Sequence, residues 1–438
     1  MINAVHAPRH SFHVPWLAAT ALCACSFDVG GLATRGDGGI DAPERDGAIV
    51  ADAGPIRDGA ADDGAPGPPD GGALDGGPVL GDIAHLPPAA EYAGTADLVI
   101  DHLVFLDTDT LTIDAVAPPA GITFAVSDQV PSGPDLAVLH VASLDITATG
   151  DLAAYGGRPL VIVASGAITI AGALDASAFR DVPGPGGAGS SLGDGAGADG
   201  IHGGAWRDSG GGGGSFGGPG ARGGDATCGV IVDCDDTAGG QPGVLHGDEV
   251  LTSLVGGGGG GDAHDISSCA QDRGGAGGGA VQLYSAVSIG VATGGVIDSG
   301  GGGGGGGSHC YNNYGGGTGG GSGGAIYLQA PDIDVLGAVV ANGGGGGGSS
   351  GDVTAGGPGD DGGPGGAAAG GPEGTVSFAQ PGGAGAPRDA AAVPGGDDAT
   401  GNGNGGGGGG GVGRIVIRYQ TSVSETATVS QAPNLATY

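Results

Sequence analysis

The chain contains no lysine: its 12 basic residues are all arginines, set against 47 Asp and Glu, for a formal charge of −35. That absence removes every mechanism that needs an amine, including the phosphate-binding loop lysine and Schiff-base chemistry. The negative charge repels nucleic acid rather than binding it. Aromatic residues make up only 4% of the sequence and charged residues 13%, beside a glycine content of about a quarter, and such a chain cannot build one large globular core. What is abundant is glycine, 111 of 438 residues. Collagen needs glycine at every third position, whereas here it comes in uninterrupted blocks such as 300–307 and 405–411, so collagen is excluded.

Residues 1–13 are polar, and 14–24 form an apolar run rich in Ala and Leu that is too short to span a bilayer as a mature helix. The run ends in Leu22, Cys23, Ala24 and Cys25. This resembles the bacterial lipobox, with Leu three before and a small residue one before the modified Cys. Cys23 departs from the Ala or Ser more usual at its position. The resemblance implies that 1–24 are a lipoprotein signal peptide and that Cys25 becomes the acylated N-terminus, with the membrane contacted through a lipid anchor. Ser26 rather than Asp follows, which by the same analogy places the protein at the cell outer membrane, exposed at the surface; plain secretion is the alternative.

Residues 25–85 repeat Asp, Gly, Ala and Pro without apolar periodicity and read as a disordered, self-repelling tether. Fully extended it would reach on the order of 200 Å. Arg35, Gly36 and Asp37 spell an integrin-type tripeptide, which in this composition is a chance match.

From Asp97 the texture changes to short runs rich in Val, Ile, Leu and Thr, the signal of closely spaced strands. The segment from Val161, VIVASGAITIAGALDAS, overlays without gaps on IYLQAPDIDVLGAVVAN from Ile326. Val161 then matches Ile326, Val163 Leu328, Ile168 Ile333, Ile170 Val335, Gly172 Gly337 and Leu174 Val339. A further copy starts at Val281 after two one-residue insertions, and another at Ile415. Ile326, Leu328, Ala330, Ile333 and Val335 alternate with Tyr327, Gln329, Asp332 and Asp334 around a step at Pro331, which predicts one face in and one out. Three short strands with corners at Gly or Pro make one coil of about 20 residues, too short to bury its own face, so coils must stack.

The fold class expected for 86–438 is therefore all-β, a right-handed parallel β-helix-like solenoid resembling the pectin-lyase-like family. A β-sandwich with Gly-rich loops is the alternative; it explains the strands but not the repeat. Glycine-rich inserts at about 178–279, 300–323 and 343–413 each follow the third strand of a coil and should share one face. Their texture resembles, in style only, the glycine-rich bacterial surface proteins of the PE-PGRS kind, without the PE domain. Disorder is the default for such runs, since glycine costs most to order. Packing as extended polyglycine against the solenoid is the competing expectation, because a mere linker would accept Ser and Thr equally well.

In an exported protein the insert cysteines Cys228, Cys234, Cys269 and Cys310 point to disulfides. The pairing preferred from spacing is Cys228 with Cys234 and Cys269 with Cys310. Zinc held by His264, His309 and two thiols is the alternative, but Cys-x-x-Cys spacing is absent. Gly320, Ser322 and Gly324 match the nucleophile-elbow pattern, which carries no information in so glycine-rich a chain. Asp332 and Asp334 are the best carboxylate pair for sugar cleavage, and solvated outer-face residues are the simpler reading. Calcium at the stretch 194–199, or at Asp360 and Asp361, lacks a supporting nonapeptide repeat. The leading expectation is a non-enzymatic surface protein without catalytic residues, cofactor or metal, meeting a surface glycan or cell-envelope partner in a structural or adhesive role. A carbohydrate-binding or carbohydrate-cleaving β-helix is the alternative, and a calcium-dependent adhesive the third.

Overall fold

The structure, a computed structural model, describes residues 82–88, 94–204, 207–229, 234–264, 272–310, 313–375, 378–388, 390–398, 401, 403–425, 428–429 and 433–437. All lie in the compact unit Ala73–Tyr438. The expected signal peptide, Cys25 and nearly all of the tether fall outside the described residues.

The described residues form an all-β structure, without helices. Most of its strands fall into three parallel ladders. Ladder A runs through Leu136–Val141, Leu160–Ala164, Ala280–Ser285, the first part of Ala325–Val335, the first part of Arg414–Glu425, and Asn434–Thr437. Ladder B runs through Leu98–Ile100, Leu144–Ile146, Ile168–Ile170, Ser288–Val291 and the second parts of the same two long strands. Ladder C runs through Leu103–Asp107, Asp151–Tyr155, Ala173–Asp175, Val296–Asp298, Ala338–Val340 and Thr428–Val429. Because the two long strands belong to both A and B, those ladders fuse into one 11-stranded sheet. At the N-terminal end Thr123–Ser127 pairs antiparallel with Leu136–Val141, covering an edge that would otherwise be open to another chain.

Register explains why the coils stack. Leu139, Ile162, Leu283, Leu328 and Ile417 stand in one row of ladder A. Ile100, Ile146, Ile170, Val291 and Val335 form a row of ladder B. Val104, Leu152, Leu174, Ile297 and Val339 form one in ladder C. All face a common buried core. Burying such a side chain contributes about 1.5 to 3 kcal/mol, so each row supplies on the order of 10 kcal/mol against the entropy of ordering the coils.

Two expectations are corrected here. In ladder A, Leu160 rather than Val161 aligns with Val281 and, through it, with Ile326. The corner before Ile168 holds one residue more than the corner before Ile333, so the ungapped overlay holds in ladders B and C and slips by one in A. Val161 and Val163 consequently face away from the main core. Pro331 does not end a strand either: Ala325–Val335 continues through it, and the register shift against the next coil is taken up between Ala330 and Asp332.

The outward face of ladder A is not exposed. Val138, Val161, Tyr284, Tyr327 and Val416 are buried in a second apolar cluster, covered by Ile83, Leu86, Phe216, Leu251 and Leu254. Tyr327 and Gln329, expected to face solvent, are 3% and 0% exposed. The folded unit thus begins before residue 86: Asp82 and Ala84, placed by composition in the tether, are held as a strap by two buried glutamines. The amide of Gln329 accepts from the Ala84 N–H (3.0 Å) and donates to the Asp82 carbonyl (2.7 Å). Gln282 donates to the Ala84 carbonyl (2.8 Å), and its oxygen meets His85 Nδ1 at 2.6 Å.

Each long glycine-rich insert leaves a ladder C strand and returns to a ladder A strand, between Asp175 and Ala280, Asp298 and Ala325, and Val340 and Arg414. Within them the glycine runs are ordered by backbone hydrogen bonds with a period of three. Gly317, Gly320 and Gly323 donate to Gly405, Gly408 and Gly411; Thr318, Gly321 and Gly324 donate to Gly305, Gly302 and Ser299; Gly319 and Ser322 donate to Gly261 and Gly258. One extended segment therefore bonds to three neighbours, each residue turning its N–H by a third of a revolution, as in the extended three-residue helix. Residues 343–350 repeat the pattern, with N–H groups on the 380–386, 315–321 and 357–360 segments in turn. A Cβ on Gly319 would fall 1.9 Å from the Gly212 carbonyl oxygen, which is why this position excludes any other residue.

Candidate functional site

Cys228 and Cys234 are disulfide-bonded, with Cα atoms 5.6 Å apart. Cys310 lies in the short strand His309–Cys310, and Cys269 is outside the described residues, so the second pairing is not described. The two histidines of the zinc alternative have different ring partners: His264 stacks on His202 at 5.1 Å, and His309 packs against Tyr314 at 5.3 Å. Among the described residues, no group of three or more His, Cys, Asp or Glu side chains is arranged to hold a metal ion.

Sequence reading missed the antiparallel bridge that sets His202 opposite Asp208. His202 Nδ1 and Asp208 Oδ1 share a hydrogen bond at 2.5 Å, and Asp208 is fully buried. Burial pushes the Asp208 carboxyl upward, opposed by His202 and His264. Beside it Arg207, itself buried, lies over the rings of Tyr314 (5.5 Å) and Phe378 (5.1 Å). Nothing in residues 202–208 shows periodicity, so only the paired backbone reveals the contact.

The remaining candidates have structural settings. Asp332 and Asp334 are exposed on ladder B and accept from Ser422 Oγ (2.7 Å) and Ser424 Oγ (2.8 Å) of the next coil. Ser322 is buried inside the glycine bundle, where its Oγ accepts the Gly258 N–H at 2.9 Å. Asp361 accepts from the backbone of Arg180 (3.0 Å) and Gly303 (2.7 Å). Asp199 accepts from Ser191 and from the Asp262 N–H (2.9 Å).

A cavity of about 390 Å³ lies where the strap, the turn at residues 250–252, Pro131 and the last ladder A strands meet. Its polar groups are largely engaged: His85 Nε2 meets the Leu251 carbonyl at 2.5 Å, and Asn434 donates to the Glu249 carbonyl at 2.8 Å. The Arg418 guanidinium donates to Tyr327 Oη at 3.3 Å, partly offsetting the upward push that burial gives the Tyr327 hydroxyl.

No protein-family model, curated protein or solved structure matches the chain.

Proposed function

We propose that the protein is a non-enzymatic cell-surface protein with a structural or adhesive role, held to the outer membrane by lipid on Cys25. The observation that carries this reading is the hydrogen-bonded glycine bundle. Glycine brings no functional group, so the bundle's contribution is shape and stiffness: a slab of backbone fixed to one corner of the ladders. The ladders are taken as turns of a right-handed parallel β-helix, and the acidic segment before residue 82 as a tether that holds this two-layer body away from the lipid. Its partner would be a surface glycan or another envelope component.

A carbohydrate-binding or carbohydrate-cleaving role is the second reading, favoured by the outward pairing of Asp332 and Asp334 with Ser422 and Ser424. Two measurements test the proposal. Fractionation of cells expressing Cys25→Ser should find the protein released from membranes. A screen of the secreted domain against polysaccharides and cell surfaces should then find binding without cleavage. Retention of Cys25→Ser in the membrane fraction would refute the anchor, and release of sugar fragments abolished by Asp334→Asn would replace the first reading by the second.

A further inference from the structure

We infer that a cavity of about 260 Å³, where the three glycine-rich inserts meet, binds a phosphate or sulfate ester carried on a polyhydroxylated body, the chemistry of a charged surface glycan. The first insert lines it with Arg180, Asp181, Asp272 and Arg273, the second with Gly303 and Gly305, and the third with Pro358. In a chain with 47 acidic residues an arginine readily finds a carboxylate, as Arg158 does in Asp109 and Arg222 in Asp225. Arg180 and Arg273 do not. Among the described residues neither guanidinium is hydrogen-bonded or ion-paired; Asp361 and Asp262 attract them only through space, and Arg180 lies 6.0 Å from the centre of the Phe179 ring. Two exposed guanidiniums on one small cavity suit the several terminal oxygens of such an ester, which arginine binds with paired N–H donors.

The backbone holds both arginines in place. The Arg180 N–H donates to Asp361 Oδ1 at 3.0 Å, and its carbonyl accepts the Ala276 N–H at 2.7 Å. The Arg273 carbonyl accepts from the Gly305 N–H at 3.0 Å and from Thr318 Oγ1 at 2.8 Å. Binding therefore has to order two side chains and not three loops. Asp181 and Asp272 also line the cavity, where they repel a bare anion but accept hydrogen bonds from hydroxyls. An ester with hydroxyls beside its charge satisfies both signs. At about 260 Å³ the cavity lies below the range of about 300–1,000 Å³ usual for drug-sized ligands, so it takes one sugar unit.

This deepens the surface role proposed above and rests on it for the source of the ligand. The test measures the site itself, so failure of the Cys25 anchor would leave its result unchanged. The full chain is titrated calorimetrically with glucose phosphate, glucose sulfate, glucose and inorganic phosphate. One site per chain is expected for the two esters, with glucose and inorganic phosphate weaker by about tenfold or more, the loss of one charge-assisted hydrogen bond. Arg180→Gln and Arg273→Gln, which keep the backbone bonds, should each weaken the esters by about the same factor. Arg158→Gln, which removes the same charge elsewhere, should leave them unchanged. Absence of ester binding, inorganic phosphate as tight as the esters, or an Arg158→Gln variant as impaired as the other two would overturn the inference.

Discussion

Gln329 and Ala84 are 245 positions apart in the chain, and the side-chain oxygen of the first accepts the backbone N–H of the second at 3.0 Å. With the Gln329 Nε2 donating to the Asp82 carbonyl, one buried amide serves the strap as a neighbouring strand would. Replacing it by leucine leaves both strap groups without these partners, at a cost of about 1 to 3 kcal/mol. Gln329→Leu should therefore raise the rate of proteolytic cleavage and amide exchange at residues 82–86 well before it lowers the melting temperature. An unchanged exchange rate there would show that the apolar contacts of Ile83 and Leu86 hold the strap alone.

The faces of the Ala325–Val335 strand make opposite predictions for two of its residues. Leu328 stands between Leu283 and Ile417 in a fully buried row, so Leu328→Ala should cost about 2 to 5 kcal/mol and Leu328→Asp more, because an unpaired charge is then buried. Asp334 is exposed and accepts one hydrogen bond from Ser424, so Asp334→Ala should change stability by no more than about 0.5 kcal/mol. Thermal unfolding of the variants decides the matter. Similar losses from Leu328→Asp and Asp334→Ala would contradict the assigned faces.

How much of this was legible in the sequence depended on whether a strand has one buried face or two. In ladders B and C the strands alternate, and the matches of Ile168 with Ile333 and of Leu174 with Val339 agree with the observed register. In ladder A both faces are buried, so Leu160, Val161, Ile162 and Val163 are all apolar and periodicity carries no parity; a one-residue slip was invisible. The strap's Ile83 and Leu86 sit in a short stretch of Gly, Ala and Pro without a strand or helix period. In the glycine bundle, identical residues leave no side-chain pattern from which pairing could be read. The His202 and Asp208 contact depends on an isolated antiparallel bridge in a segment without periodicity.

Asp298 makes the pH dependence of stability testable. It lies beside Asp175 in the ladder C register. Burial, and then the charge of Asp175, push its carboxyl up to about 7. The unfolded value is near 3.9. Between about pH 4 and 7 the folded chain keeps a proton that the unfolded chain has released, so this group makes stability fall as pH rises through that window, by at most about 1.4 kcal/mol per unit. Asp298→Asn keeps an oxygen for the Gly300 N–H, which the carboxylate accepts at 2.8 Å, and removes the titration. The variant should be more stable than the parent at pH 7 and should flatten the decline between pH 4 and 7. A parent and variant with parallel stability curves over that range would show that Asp298 titrates as an ordinary carboxyl.

The glycine bundle makes the most demanding prediction, because it requires order in runs that composition alone marks as flexible. A Cβ on Gly347 would lie 1.8 Å from the Gly305 carbonyl oxygen, a contact that only a backbone shift could relieve. The shift would break the hydrogen bonds of Gly347 to Thr318 and of Gly407 to Gly347 that hold the adjoining segments together. Gly290, on the exposed row of ladder B, has nothing within 4 Å of its Cβ position. Alanine also costs less backbone entropy on folding than glycine. Gly290→Ala should therefore be neutral or slightly stabilising, while Gly347→Ala should destabilise by several times the roughly 1 kcal/mol that separates the two residues intrinsically. In the unaltered protein, amide exchange should be slow within 256–261, 300–307 and 343–348, in particular at Gly302, Gly304 and Gly346, whose N–H groups donate to Ala276, Gly345 and Gly383. Exchange at the random-coil rate throughout these runs, with Gly347→Ala as harmless as Gly290→Ala, would leave the inserts as a flexible fringe and remove the platform on which the proposed surface role rests.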